Sequence, residues 1–188
     1  MLKKLILPIF LILLMSQAAL AQDEYVKPGQ IPVVPGKAPN LRVKLVSSNG
    51  NVKTYLLVFN KGDEILSGMT EFAEKYHVTC AHFTGIGAVS TATLGCLDYD
   101  KKMYHVVPIK EQSEILSFIG NIAVFNNKPV VHAHVGTAPA SGVMKGGHLF
   151  EGFVWPTLEV YVTVEPASIG KKREPELGFL MLDPEPDK

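Results

Sequence analysis

The chain has 188 residues, 47% of them hydrophobic, and its 18 basic and 18 acidic residues give a formal net charge of zero. Nucleic-acid-binding surfaces usually carry an excess of basic residues with arginine at the contacts, and the arginines here are only Arg42 and Arg173. The composition therefore disfavours nucleic acid as a partner and indicates a single domain with a hydrophobic core.

The first 21 residues have the pattern of a secretory signal peptide. Lys3 and Lys4 precede an apolar run over residues 5–15, and Ala19-Leu20-Ala21 places small residues where a signal peptidase cleaves. The apolar run is short for a membrane-spanning helix, which needs about 20 residues, although an uncleaved anchor is the alternative. We therefore expect a periplasmic or secreted protein with no stable membrane span after cleavage.

Residues 22–40 contain Pro28, Pro32, Pro35 and Pro39, which predict an extended arm rather than a helix or a central strand. Residues 41–188 are predicted to form one folded domain.

That domain should begin with strands over residues 41–46 and 54–59, joined by a turn at Asn49-Gly50. A helix should follow, with Asp63 as its N-cap and an end near His77. Gly68 either lowers the stability of this helix or allows a close approach to the sheet. Apolar residues recur at helical spacing and should form one face of this helix: Ile65, Leu66, Met69, Phe72, Ala73 and Tyr76.

Beyond the helix the pattern is that of β-strands, with a bend near Gly87–Ser90 and an exposed charged loop at Lys171–Pro175. One helix and many strands indicate an α+β domain with a mixed, largely antiparallel sheet. The strands are expected over residues 78–86, 91–99, 103–107, 114–125, 130–137, 152–155, 158–164 and 178–182, with a turn at 155–157.

Two cysteines, Cys80 and Cys96, lie in predicted strands on either side of the expected bend. An exported protein meets an oxidising compartment, which permits a disulfide bond between them. Two buried free thiols are equally compatible with the sequence, because free cysteine is commonly buried.

Three of the six histidines lie between residues 131 and 152. His132 and His134 are two apart on a predicted strand, so both imidazoles should point to one face. Gly146-Gly147 precedes His148 and can form a tight turn that returns this third imidazole to the strand. Three neutral imidazoles form a site for a divalent transition metal, zinc first, with a fourth position open for water or substrate. The alternative is three separate polar residues near a loop.

Other side chains are weaker candidates for the same site. His82, on a different strand, is a possible fourth ligand or a residue that orients a ligand. Glu114 and Glu151 are the best carboxylates for general acid–base work, each with a surface charge as the alternative. Lys53 and Lys145 could receive an anionic substrate, although an ordinary solvated lysine is the simpler interpretation.

Six blocks of the sequence, in this order and spacing, resemble the PPC domain (plants and prokaryotes conserved domain, also called DUF296). The resemblance covers roughly residues 53–165. The blocks are residues 61–66, 81–88, 114–122, 132–135, 146–149 and 159–160.

The resemblance implies one helix packed on a mixed sheet and assembly as a homotrimer. In plants this domain accompanies AT-hook motifs, and bacterial members are often named as DNA-binding proteins for that reason. This chain has no Arg-Gly-Arg-Pro hook. The fold also resembles that of acetolactate decarboxylase, whose zinc is held by a His-x-His pair and a later histidine. The analogous residues here are His132, His134 and His148, and a likeness of fold supports the metal more than the reaction.

Three functions follow from these observations. The first is a metalloenzyme acting on a small carbonyl or carboxylate compound at a cleft between subunits. The second is a non-catalytic metal- or ligand-binding module of the periplasm, and the third is the DNA binding suggested by family naming. The charge balance and the expected export count against the third.

Overall fold

The computed structural model describes residues 24–184, so the expected signal peptide lies outside the described residues. Within residues 24–184 the chain forms one α-helix and ten β-strands, which confirms the α+β class. The elements are β1 Tyr25–Val26, β2 Arg42–Asn49, β3 Val52–Asn60, α1 Ile65–Lys75, β4 Cys80–Asp98, β5 Met103–Ile109, β6 Ser113–Phe125, β7 Lys128–Ala138, β8 Lys145–Val164, β9 Gly170–Arg173 and β10 Leu180–Asp183.

The strands form one sheet in the order β1-β5-β4-β6-β7-β8-β3-β2, with the hairpin of β9 and β10 attached to β6. The described pairings are antiparallel apart from the short β6–β9 contact. Because β4 also pairs with β8, the strands β4, β6, β7 and β8 close into a ring. The apolar side of α1 packs on the inner face of this sheet, where Phe59, Phe83 and Phe118 belong to the same core.

The helix begins one residue later than the sequence predicts. Its N-cap is Glu64, whose carboxylate accepts hydrogen bonds from the backbone N–H groups of Leu66 and Ser67. Asp63 is fully buried and accepts backbone N–H bonds from Asn40 and Asn60 instead. Asp63 therefore ties the N-terminal arm to the start of the helix and does not cap it.

The far end and the middle of α1 also follow from local geometry. The helix ends at Lys75, short of the predicted end, and His77 turns the chain with a φ of +53°. A Cβ at Gly68 would lie 2.4 Å from the Phe59 ring and 2.9 Å from the Cβ of Ala38. The close approach expected as one role of Gly68 is therefore confirmed.

Two predicted breaks, near Gly87–Ser90 and at residues 155–157, are wrong, because β4 and β8 run through them as single strands of 19 and 20 residues. Shifts of register between Gly85 and Thr91 mark bulges, which bend a strand without ending it. Trp155 and Pro156 lie between the paired residues of β8. The missing N–H of proline therefore removes no hydrogen bond of the sheet.

Both ends of the described chain lie against the domain. Val26 in the arm pairs with Tyr104, and the backbone N–H of Lys37 donates to Ser67 Oγ. The expected exposed loop at Lys171–Pro175 is wrong over its first half, because β9 carries Lys171 with only 7% of its surface exposed. No helix among residues 24–184 is long and apolar enough to cross a membrane.

The two cysteines do not form a disulfide bond. Cys80 is a buried free thiol and Cys96 is an exposed one. Of the two alternatives, free thiols are therefore observed, but only one of them is buried.

Candidate metal centre

The three histidines of the 131–152 segment converge. One ring nitrogen from each of His132, His134 and His148 lies within 4.8 Å of the other two, and the ring centroids are 5.0–5.7 Å apart. The alternation of β7 explains the first two, since Ala133 between them is 1% exposed and faces the core. The predicted cluster is confirmed as an arrangement of side chains.

The third imidazole reaches the cluster by strand pairing and not by a turn. His148 in β8 lies opposite His134 on one side and opposite Gly95 of β4 on the other. Gly146 and Gly147 belong to β8 and have no positive φ, so the predicted glycine turn is wrong.

The value of glycine at position 147 is its lack of a side chain. A Cβ at Gly147 would lie 2.6 Å from the backbone oxygen of Gly95. The bare backbone lets β8 approach β4 closely beside His148.

Two aromatic rings hold His148 in place. Its imidazole stacks on Tyr104, with centroids 5.3 Å apart and planes at 28°, and meets Phe150 edge to face at 5.1 Å. A Cβ at Gly95 would lie 2.4 Å from the Phe150 ring, so this glycine makes room for the packing. Sequence analysis missed both rings, and the alternation along β5 and β8 was the only signal that could have indicated them.

The electrostatics of the cluster suit a metal. Burial, followed by the charge of the neighbouring histidines, lowers the pKa of His148 to about 3. Burial, followed by the charge of Lys171, lowers the pKa of His132 to about 4. Both rings are therefore neutral at pH 7, the form in which imidazole binds a metal.

A buried nitrogen atom without a hydrogen-bond partner in the described chain also indicates that the cluster suits a metal. His148 Nδ1 is buried and has no hydrogen-bond partner among residues 24–184. Buried polar atoms are normally paired, so an unpaired imidazole nitrogen inside a histidine cluster is consistent with a site that would bind a metal ion. Because no carboxylate belongs to this cluster, its donors are those that zinc and similar transition metals prefer.

The weaker candidates lie elsewhere. The His82 imidazole is outside the cluster, with 67% of its side chain exposed and Nδ1 4.0 Å from a Glu165 oxygen. The carboxylate of Glu151 forms an ion pair with Lys37 Nζ at 3.1 Å. Glu114 is exposed on β6 opposite Ala138.

None of His82, Glu114 and Glu151 lines the cavity beside the histidines. Lys53 and Lys145 are likewise exposed residues away from it. Glu114 and Glu151 are therefore not part of this cavity within one chain, and their role in acid–base work stays a prediction.

A cavity of about 610 Å³ opens beside the three histidines. Its walls come from β4, β5 and β8, from the N-terminal arm around Ile31, and from the C-terminal hairpin around Phe179. Lys171 of β9 also lines it, and burial lowers the pKa of this lysine. Lys171 was not predicted as a residue of the site, because the run Lys171-Lys172-Arg173 has the composition of a solvated loop.

Fold and site together define an α+β domain that presents a three-histidine cluster to a largely apolar cavity. The model of the Plants and Prokaryotes Conserved (PCC) domain matches residues 46–165, and the chain belongs to this family. The predicted family is therefore confirmed, whereas the further likeness to acetolactate decarboxylase stays a prediction.

Solved structures of this fold come from several organisms. A plant- and prokaryote-conserved protein from Pyrococcus horikoshii is 30% identical with a TM-score of 0.64, over 79% of this chain and 96% of that one. A metal-containing protein from Archaeoglobus fulgidus is 29% identical with a TM-score of 0.64, over 74% and 96%. A candidate DNA-binding protein from Bacteroides thetaiotaomicron is 25% identical with a TM-score of 0.69, over 76% and 96%. A comparison with curated proteins finds no match.

Proposed function

We propose that this protein binds a divalent transition metal, zinc first, through His132, His134 and His148 and acts on a small carbonyl or carboxylate compound in the adjoining cavity. The observation that carries the proposal is the group of three ring nitrogens within 4.8 Å of one another at the cavity wall. The metal-containing relative from Archaeoglobus fulgidus, at 29% identity, supports it.

The chemistry follows from the number of ligands. Three protein ligands leave a coordination position open, where a metal polarises a carbonyl group or lowers the pKa of a bound water to about 7. The protein's own part is to hold three neutral imidazoles in place, with Tyr104 and Phe150 packed on His148. The largely apolar walls lower the polarity around the cluster, which strengthens electrostatic interactions inside the cavity.

Metal analysis tests the proposal directly. Purified protein should carry about one zinc per chain or bind it on addition, and His148→Ala should lose most of it. His82→Ala is the matched control, because its exposed imidazole lies outside the cluster and its loss should leave the metal content unchanged. A wild-type protein that neither carries nor binds zinc, cobalt or nickel would refute the site.

Loss of turnover separates an enzyme from a non-catalytic binding module. The metal-loaded protein and its His148→Ala variant would be compared on a panel of 2-oxo and 2-hydroxy carboxylates, with product detection by NMR. Turnover that disappears with His148 supports an enzyme. Binding of the metal without turnover of any member supports the non-catalytic module.

DNA binding is the second function to test, because the similar structure from Bacteroides thetaiotaomicron is a candidate DNA-binding protein. A DNA-binding chain should bind duplex DNA with an affinity that falls steeply as salt is raised. The balanced charge of this chain predicts no such binding at physiological salt. Fluorescence anisotropy with a labelled duplex over a range of salt concentrations measures it.

We also propose that the chain assembles as a homotrimer through the outer face of its sheet. Ile119 and Tyr161 flank Thr84 in one row across β6, β4 and β8, and they are 53% and 52% exposed. Apolar side chains of this size on a solvated face indicate a protein interface. His134 lies in the same row, opposite Ile119, so a second copy on this face would border the metal site.

Light scattering coupled to gel filtration tests the assembly. The wild type should have the mass of three chains, and Ile119→Asp should dissociate it. Val143→Asp is the control, because Val143 is 65% exposed in the loop between β7 and β8 and lies outside the row. A monomeric wild type would contradict the proposal.

Export rests on the signal-peptide pattern of residues 1–21. Residues 1–30 fused to a reporter that is active only in the periplasm should give activity, and Leu11→Arg, within the apolar run, should abolish it. An inactive wild-type fusion would contradict export.

A further inference from the structure

The cavity beside the histidines has a one-sided charge. Among its lining residues in the described chain, Lys171 and Arg173 carry positive charge, and no aspartate or glutamate is present. A divalent metal on the three histidines would add further positive charge, because the ligands are neutral imidazoles. A ligand of this cavity therefore meets cations and no anion.

Lys171 is the buried member of the pair. It is 7% exposed, and its Nζ donates a hydrogen bond to Asn121 Oδ1 at 3.0 Å. Within residues 24–184 this ammonium group has no carboxylate partner, whereas its neighbour Lys172 pairs with Asp183 at 3.1 Å. A buried charge without a counter-charge is unfavourable, and an ammonium group has three donors, of which one is used here.

Lys171 also stands beside the proposed metal ligands. Asn121, which accepts its hydrogen bond, lies directly opposite His132 in the pairing of β6 with β7. On β9, Lys171 and Arg173 are two residues apart and point to the same face of the strand. The lysine ammonium therefore lies on the wall of the same cavity as His132, next to the residue that pairs with this histidine.

The two cationic side chains and part of the apolar wall of the cavity come from parts of the chain outside the family match. Residues 46–165 supply the three histidines, whereas β9, β10 and the N-terminal arm lie outside that range. The arm and the hairpin contribute apolar side chains such as Ile31, Phe179 and Leu180 to the same cavity. The arm and the hairpin therefore add both cationic and apolar side chains to the wall of the cavity beside the histidines.

We propose that Lys171 binds the carboxylate group of a small ligand whose apolar body fills the cavity next to the three histidines, with Arg173 adding positive charge at the rim. The proposal deepens the proposed function, because it names the substrate class of the same site. It nevertheless stands on the lysine and the cavity walls, so it makes a prediction for the metal-free protein as well.

Calorimetric titration of four carboxylates tests the assignment: acetate, butyrate, hexanoate and benzoate. Zinc-loaded wild-type protein should bind hexanoate or benzoate more tightly than acetate and should not bind the matched amides, hexanamide and benzamide. In Lys171→Met the affinity for the carboxylates should fall about tenfold to a hundredfold, because a hydrogen bond to a charged group is lost. Lys172→Met is the matched control and should bind as the wild type does, since Lys172 pairs with Asp183 at the surface.

The Lys171→Met variant should fold, because methionine keeps a long unbranched side chain and removes a buried charge that has no counter-charge within residues 24–184. Lys171→Gln provides a second variant with the same expected loss of affinity. Urea unfolding and zinc content are measured on every sample, and zinc content should be unchanged in the lysine variants.

The outcomes separate the two proposals. Absence of zinc binding with Lys171-dependent carboxylate binding would refute the metal site and keep the anion site. Zinc binding with carboxylate affinities that are equal in the wild type and Lys171→Met would overturn the anion site alone. Equal binding of benzoate and benzamide, or binding of none of the four carboxylates, would also overturn it.

Discussion

Replacing Gly147 with alanine should loosen the metal site without removing a ligand. The new Cβ would lie 2.6 Å from the backbone oxygen of Gly95, whereas ordinary contacts begin at 3.4 Å, so β8 and β4 must separate by about 0.8 Å. His148 is the next residue along β8 and lies opposite Gly95. Because metal–ligand distances in proteins vary by only about 0.2 Å, the shift exceeds what one ion tolerates at three fixed ligands.

The size of the effect follows from the strain. Overpacking of this kind destabilises a protein by about 1–3 kcal/mol. If the same strain is relieved by moving His148, zinc affinity falls about fivefold to a hundredfold. Urea unfolding of the metal-free protein measures the first quantity, and competition with a chromogenic chelator measures the second.

Alanine substitutions at two other glycines provide comparisons in which the new Cβ meets a weaker clash or none. A Cβ at Gly170 would meet nothing within 4 Å, so Gly170→Ala should stay within about 0.5 kcal/mol of the wild type. A Cβ at Gly146 would lie 3.0 Å from the Val135 oxygen, so Gly146→Ala should fall between the two. A Gly147→Ala protein with wild-type unfolding and wild-type zinc affinity would refute the reasoning.

Three further predictions concern the helix cap and the rings. Glu64→Ala removes two capping hydrogen bonds and the acceptor for the buried Gly152 N–H. It should therefore lower the free energy of unfolding, measured in urea, by about 2–4 kcal/mol. The control Glu74→Ala, at an exposed position of the same helix, should change it little. Burial raises the pKa of Glu64 in the folded protein above its ordinary value of 4.5. The free energy that the protonated carboxyl group contributes to folding is therefore full below pH 4.5 and is lost as the pH rises through the pKa of the folded state. The stability of the wild type relative to Glu64→Gln should therefore decline as the pH rises above 4.5, and a flat difference would contradict this. Tyr104→Ala should weaken zinc binding about twofold to tenfold through the lost ring contact with His148, whereas Tyr104→Phe should not.

Two of the three histidines could be placed from the sequence because their relative geometry depends on short-range periodicity. His132 and His134 share a face through strand alternation, which the sequence states directly. The position of His148 depends on the pairing of β8 with both β7 and β4, which no local pattern encodes. The convergence of His148 with the other two histidines was therefore predicted for the wrong backbone reason, a glycine turn in place of a close approach at Gly147.

The errors in the strands have a common physical cause. Gly87, Ser90 and Pro156 are typical of turns, but bulges in β4 and an unpaired stretch in β8 accommodate them within continuous strands. Local composition likewise assigned Lys171 to solvent. Its burial results from the packing of the C-terminal hairpin on β6, a contact between segments far apart in sequence.

The long β8 strand has a consequence for how the protein is made. Its end pairs with the start of β3, where Lys53 lies opposite Val164, 111 positions away, while its beginning pairs with β7. Topologies dominated by such distant pairings fold in milliseconds to seconds, more slowly than helical proteins of similar size. His148 can join the other two histidines only after most of the chain has been synthesised and the start of β8 has paired with β7 and β4. Uptake of the proposed metal would therefore be a late event in maturation, and a chain interrupted before His148 would offer the ion two ligands on a single strand.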